Sequence, residues 1–203
     1  MKSFGILALA AFLLSACGGI LPNSGPPPDM FTLTPKSTFR SDLPAVQWQL
    51  VVEEPLASGG VDTNRIVIQP SPVEIKFYAD ARWSERAPRM VQTLLVESFE
   101  NTKKIVAVGR QTVGLRSDYN LKTELREFQA ELFDGSKVPT VRVRLTAMLV
   151  KQPRQEIVAS KSFEYAEAAK SGAIGDVVLA FDEALGKAMR RAVEWTLLLG
   201  KDS

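Results

Sequence analysis

A single cysteine, Cys17, sits directly behind an uncharged apolar run, and this pairing constrains the chain more than any other feature. The chain opens Met1-Lys2-Ser3 and then carries no charge from Phe4 to Ala16, a run of 13 residues. A helix that crosses a bilayer needs roughly 20 apolar residues. The run is too short for that and has the length of a signal-peptide core behind a short positive start. It ends Leu14-Ser15-Ala16-Cys17-Gly18. Small residues at Ser15 and Ala16 suit a peptidase that holds an extended chain in narrow pockets, and a cysteine directly after them is the pattern of a lipobox. The expectation is cleavage before Cys17, a diacylglycerol on its thiol and a further acyl chain on the freed amine. Each buried methylene contributes about 0.8 kcal/mol, and two chains suffice for stable anchoring. Gly18 stands where an aspartate usually retains such proteins at the inner membrane. Its identity favours the outer membrane, with the body of the protein in the periplasm.

Residues 1–16 are thus read as a signal peptide, 17–29 as the lipidated cysteine and its tether, and 30–200 as the folded domain. Residues 18–28 read Gly-Gly-Ile-Leu-Pro-Asn-Ser-Gly-Pro-Pro-Pro. The prolines favour polyproline II, and the flanking glycine and serine are flexible. Fully extended, these residues reach at most roughly 35 Å.

Removing the first 16 of 203 residues leaves a chain of one-domain size, long enough to bury a core. Without Lys2 it carries 24 basic and 23 acidic residues, a balance that asks for no nucleic acid. With Cys17 acylated no thiol remains, so the fold rests on its core rather than on disulfides. The sequence contains no histidine. That excludes a Ser-His-Asp or Cys-His nucleophile and an H-E-x-x-H zinc site. No G-x-x-x-x-G-K-[ST] loop and no G-x-S-x-G elbow occurs. Acidic pairs such as Glu53-Glu54 and Asp182-Glu183 read as solvated surface. The expectation is a protein that is not an enzyme and takes no cofactor or metal.

Apolar patterning predicts the elements. Phe31–Leu33 starts a short strand. Val46–Val52 is a strand ended by Pro55, and Pro55–Asn64 is a loop. Arg65–Gln69 is β-branched and is interrupted by Pro70 and Pro72. In Val73–Tyr78 alternation places Val73, Ile75 and Phe77 on one face. Glu85–Asn101 is an amphipathic helix with Pro88 in its first turn. Ile105–Val108 is a short strand. An antiparallel meander follows: Asn120–Phe133, Val138–Lys151 and Glu156–Tyr165. The first of these changes phase near Arg126-Glu127, where a β-bulge restores one inward face. Asp134-Gly135-Ser136 is its hairpin turn. On the second strand Val141, Val143, Leu145, Ala147 and Leu149 point inward and Arg142 and Arg144 outward. Residues 172–199 carry the strongest helical stripe, running from Ile174 through Phe181, Leu185 and Met189 to Trp195. Strands, helix, strands, helix specify a two-layer α/β sandwich, with two main helices on one face of a mixed, largely antiparallel sheet.

The stretch Phe77–Phe99 is more specific. An aromatic strand end is followed by Arg82-Trp83, a small and an acidic residue, and a proline that opens an amphipathic helix. This resembles the ABC-type transport auxiliary lipoprotein family, the PqiC/YmbA-like proteins. Asp62–Gln69, the paired strands around Val141-Arg142-Val143-Arg144, and the closing helix Ala180–Trp195 agree with it, and the likeness covers nearly all of residues 30–197. The family pattern is W-A-[ED]-P; here Pro88 comes two residues late, which shifts the expected helix start. The resemblance implies a fold similar to the N-terminal domain of TolB. It also implies an auxiliary role in ABC systems whose MCE-domain subunits move lipids or other apolar molecules between membranes. The lipoprotein then sits at the outer membrane, docks an MCE-domain subunit and forms a possible homo-oligomer. Trp83, Arg142 and Arg144 are the candidate docking residues. The competing expectation is a periplasmic lipoprotein that carries a lipid in its own cavity.

Overall fold

Alternating burial sets the strands, and one of them organises the rest. The computed structural model describes residues 26–110, 116–133 and 135–200. Cys17, the signal peptide and most of the tether lie outside these residues, as does Asp134 of the expected hairpin turn. The described strands are β1 (Asp29–Phe31), β2 (Val46–Val52), β3 (Leu56–Ala57), β4 (Arg65–Ser71), β5 (Glu74–Trp83), β6 (Ile105–Arg110), β7 (Tyr119–Glu131), β8 (Thr140–Lys151) and β9 (Glu156–Ala168). The helices are α1 (Ala87–Thr102) and α2 (Ile174–Leu199).

β7, β8 and β9 form the long antiparallel meander, paired from Tyr119↔Lys151 to Glu131↔Thr140 and from Thr140↔Ala168 to Lys151↔Glu156. On its other side β7 is met in turn by β2, β3 and β4, all parallel to it. The sheet therefore forks beyond β7. One branch continues from β2 to β6, and the other from β4 through β5 to β1. Among the described residues this is one nine-stranded mixed sheet. The expected bulge is present: the β7–β8 register shifts between Leu125 and Glu127. Before it Leu121, Thr123 and Leu125 face the helices; after it Phe128 and Ala130 do. One extra residue keeps a 13-residue strand apolar on one side throughout.

Both helices cover that side. α1 packs on β2 and β6, and α2 on β8 and β9. Pro88 lies in the first turn of α1, which begins at Ala87, two residues beyond the expected start. Proline is tolerated there because its missing N–H has no helical acceptor. Gln92 is buried in α1 and donates to the carbonyl of Val52 at 2.9 Å, tying helix to sheet. Trp83, Phe128 and Phe181 meet at the centre, with ring centroids 4.8–5.6 Å apart. Trp195 is only half-buried, edge-on to Phe163 at 5.9 Å. Trp48 donates its indole N–H to the carbonyl of Gly200 at 2.8 Å and so closes the end of α2.

Several boundaries differ from the sequence expectation. β1 covers Asp29–Phe31 rather than Phe31–Leu33. β4 runs through Pro70, and Val73 falls in the β4–β5 turn. Val73 and Ile75 do not face the core: they are 95% and 49% exposed. Pairing in β5 with β4 rather than burial dictates its extended form. The short strand β3 lies inside the expected loop. Between β1 and β2 the chain has no regular structure and crosses both helices as a strap. Thr34 donates N–H and hydroxyl to Asp182 of α2. Lys36 donates N–H to Ser98 of α1, and Arg40 donates N–H to Glu194 of α2. Leu33 and Leu43 pin its two ends in the core.

Candidate docking surfaces

The face of the meander away from the helices carries a ladder of charge. β8 presents Arg142 and Arg144 there, as alternation requires, and the positions after the bulge on β7 present Glu127, Gln129 and Glu131. Arg144 is directly opposite Glu127 on β7 and Glu164 on β9. Arg142 Nε donates to Glu131 at 2.8 Å, and its Nη1 donates to Glu164 at 2.7 Å. These two hydrogen bonds, the Glu131 one first, raise the Arg142 pKa further above its already high ordinary value. Arg144 Nε lies 3.0 Å from Glu127 Oε2, and its Nη2 lies 3.1 Å from Glu164. The Arg144 Nε and Glu127 Oε2 atoms are buried and make no well-angled hydrogen bond, so charge attraction holds that pair.

The sequence placed both arginines correctly on the outer face but read them apart from their partners. Each guanidinium is occupied by two carboxylates, so neither is a free cation waiting for an anionic headgroup. The missed residues are Glu127, Glu131 and Glu164. Their signal is legible once the bulge is accepted, because Glu127 and Glu131 then share the outward parity of Arg142 and Arg144.

The ladder has unequal rungs. Glu131 is nearly buried, with 8% of its side chain exposed, whereas Glu164 is 39% exposed. We expect Arg142→Ala to lower stability by about 2 kcal/mol, because among the described residues Glu131 then keeps Gln129 alone as a donor, in a nearly buried site. Glu164→Ala leaves both arginines partnered and is expected to cost less than about 1 kcal/mol. Urea denaturation of the two variants checks the order, and equal losses contradict it.

Trp83 is placed differently from its expected role. It is 1% exposed and is held between Phe128 and Phe181, so its ring is a core anchor and offers no contact to a partner. The surface beside it belongs to Arg82. One guanidinium nitrogen of Arg82 donates to the carbonyls of Tyr78, Ala79 and Ala81. It props a bulge where the β4–β5 register jumps between Val67↔Phe77 and Arg65↔Arg82.

A groove of ≈430 Å³ lies between the β4–β5 hairpin, Ser58 and Val61, and the outer face of β7. Val67, Ile75 and Phe133 are among its walls, and Gln129, Glu131 and Arg142 supply its polar side. It adjoins the arginine ladder through Gln129, Glu131 and Arg142. Among the described residues, no group of three or more carboxylate, cysteine or histidine side chains is arranged to hold a metal ion. No described helix is long and apolar enough to cross a membrane.

A family profile described as ABC-type transport auxiliary lipoprotein component matches residues 31–193. A crystal structure of a Xanthomonas campestris protein is similar, with a TM-score of 0.80 at 33% identity over 86% of this chain and 97% of that one. A crystal structure of an uncharacterized protein gives a TM-score of 0.66 at 16% identity, over 84% and 99% of the two chains, and shows the fold alone. An uncharacterized protein of Bradyrhizobium diazoefficiens is 30% identical over 149 residues, 73% of this chain, which spans 39% of that relative's length.

Proposed function

The chain belongs to the ABC-type transport auxiliary lipoprotein family, and from that membership we propose that it is an outer-membrane lipoprotein that docks the MCE-type subunit of an ABC transport system. The family match over residues 31–193 carries the proposal. The lipobox at Cys17 supplies the anchor, and the proline-rich tether lets the domain stand off the membrane. The role is docking rather than catalysis. Its support is the chain's chemistry: no histidine, no nucleophile elbow, no phosphate loop and carboxylates committed to arginine. The cargo is a lipid or another apolar molecule, and it passes through the partner.

The reading in which the domain itself carries a lipid has less support. The space between sheet and helices is filled by fully buried side chains such as Leu121, Leu145, Leu185 and Met189. A lipid needs a largely pre-formed apolar cavity, whereas the described grooves lie at the surface beside charged residues.

Crosslinking in native membranes, followed by affinity isolation, tests the proposal. We expect an MCE-domain subunit to be recovered with the lipoprotein. Recovery of the abundant lipoprotein without any transporter subunit contradicts docking. Lipid that copurifies in fixed ratio with the isolated protein favours the carrier reading instead.

A further inference from the structure

β9 is the longest free edge of the sheet. Among the described residues its 13 residues pair with β8 alone. The other strands paired on one side, β1, β3 and β6, have three, two and six residues. A free edge presents a row of N–H and C=O groups that a further strand can take up.

Two surface hollows flank this edge where α2 meets β9, and they differ in charge. Glu167, Lys170, Asp176, Asp182 and Glu183 line one of ≈360 Å³. Arg40, Lys161, Arg191 and Glu194 line the other, of ≈190 Å³. The first stays acidic even when Lys187, which bridges Glu167 and Glu183, is counted: four carboxylates meet two lysines. The second stays basic even when Asp42, which holds Arg40, is counted: three cations meet two carboxylates. Among the described residues Lys161 has no carboxylate partner, and its ammonium lies 5.8 Å from the centre of the Phe163 ring.

Parity puts Lys161 and Glu167 on the same side of β9, roughly 20 Å apart along the strand. An edge with acid towards one end and base towards the other matches its own copy when the two run antiparallel. A two-fold axis then makes each contact twice. Centred on residue 164, the pairing sets Lys161 against Glu167 of the second copy. It sets Phe163 against Tyr165 of the second copy, an aromatic cross-strand pair. On the outer face the two Glu164 carboxylates meet, but each is already held by Arg142 and Arg144. A lone lysine on an edge ordinarily deters pairing; here the incoming strand brings its carboxylate.

We propose that β9 pairs antiparallel with β9 of a second copy of this chain, about a two-fold axis at Glu164, joining the two sheets into one. The Lys161–Glu167 contacts fix the register. The arginine ladder and the groove beside β4–β5 stay open for another partner.

The test expresses the full chain in its native host in two forms with different epitope tags, and treats intact cells with a short bismaleimide. Glu164→Cys places a thiol on the axis. Ser160→Cys places one on the same strand, with the two copies roughly 27 Å apart and out of reach. The chain without an introduced cysteine sets the background, and each crosslinked band is read relative to total chain. We expect Glu164→Cys to give a band carrying both tags, several-fold stronger than Ser160→Cys or the background. Lys161→Glu added to Glu164→Cys should weaken that band several-fold, and Glu167→Lys added to both should restore it. No band with both tags, or one equally strong at position 160, overturns the pairing. A band with one tag alone puts a different protein on the edge and overturns the second copy. A band that the first charge reversal does not weaken, or that the second does not restore, overturns the antiparallel match.

Discussion

Cys17→Ser is expected to abolish acylation and remove the protein from the outer-membrane fraction. A serine hydroxyl forms no thioether, so the route to the diacylglycerol is closed. One acyl chain alone binds a membrane only marginally, on the order of 10⁴ M⁻¹, and stable anchoring needs a second. The variant loses every acyl chain and, uncut, keeps its signal peptide instead of an outer-membrane anchor. Metabolic labelling with palmitate should drop to background, and the species that starts at residue 17 should vanish in favour of the uncut precursor. Labelled protein that persists in the outer membrane contradicts the lipobox reading. No structural change is expected in the domain, because its described elements begin at Asp29.

The second large effect lies in the core. Phe181→Ala is expected to cost about 3–5 kcal/mol, the usual range for truncating a buried phenylalanine. Phe181 is fully buried and stacks against both Trp83 and Phe128, so its loss opens a cavity between α2, β5 and β7. In a domain of this size each kcal/mol lowers Tm by roughly 2–4 °C, so the midpoint should fall by about 6–20 °C. Leu179→Ala, two residues earlier and 59% exposed, is the control and should change stability by less than about 0.5 kcal/mol. Similar losses in the two variants refute this account of the core.

The contrast between these two residues shows what a periodic pattern reveals. Phe181 and Leu179 are both apolar and both lie in α2, but only Phe181 belongs to the stripe. The bulge near Arg126 was legible for the same kind of reason: a strand with one buried face cannot change phase without an extra residue. β2 fell on its expected residues, Val46–Val52, because buried alternate positions and Pro55 mark it locally. Other features depend on partners far along the chain. Nothing local in Asp29–Phe31 announces a parallel pairing with Ala81–Trp83. Alternation put Ile75 and Phe77 on one face without reporting what covers it, and Ile75 is 49% exposed. Trp83, a candidate docking residue, lies in the core instead. A tryptophan at a motif corner looks like a contact point, yet this one fills the gap between a strand and a helix nearly a hundred residues apart.

The candidate surface divides along the same line. Arg142 and Arg144 were found because parity on an edge-to-edge meander is local information. Their carboxylate partners were not: the bulge gives Glu127 and Glu131 the same outward parity, but which carboxylate meets which arginine, Glu164 included, is set by the register of three strands. The functional reading changes with those partners. A pair of bare arginines suggests anion capture, whereas arginines laced to carboxylates give a rigid, nearly neutral face. Such a face can set the orientation of a protein partner while adding little to its affinity.

Everything functional here depends on the chain being held at a membrane by lipid on its one thiol. The most direct measurement is the intact mass of the mature protein isolated from native membranes, with its N-terminal peptide sequenced. The account predicts a chain that starts at residue 17 and carries diacylglyceryl and acyl mass on that residue. A mature chain that starts elsewhere, or one whose Cys17 bears no acyl group, contradicts it.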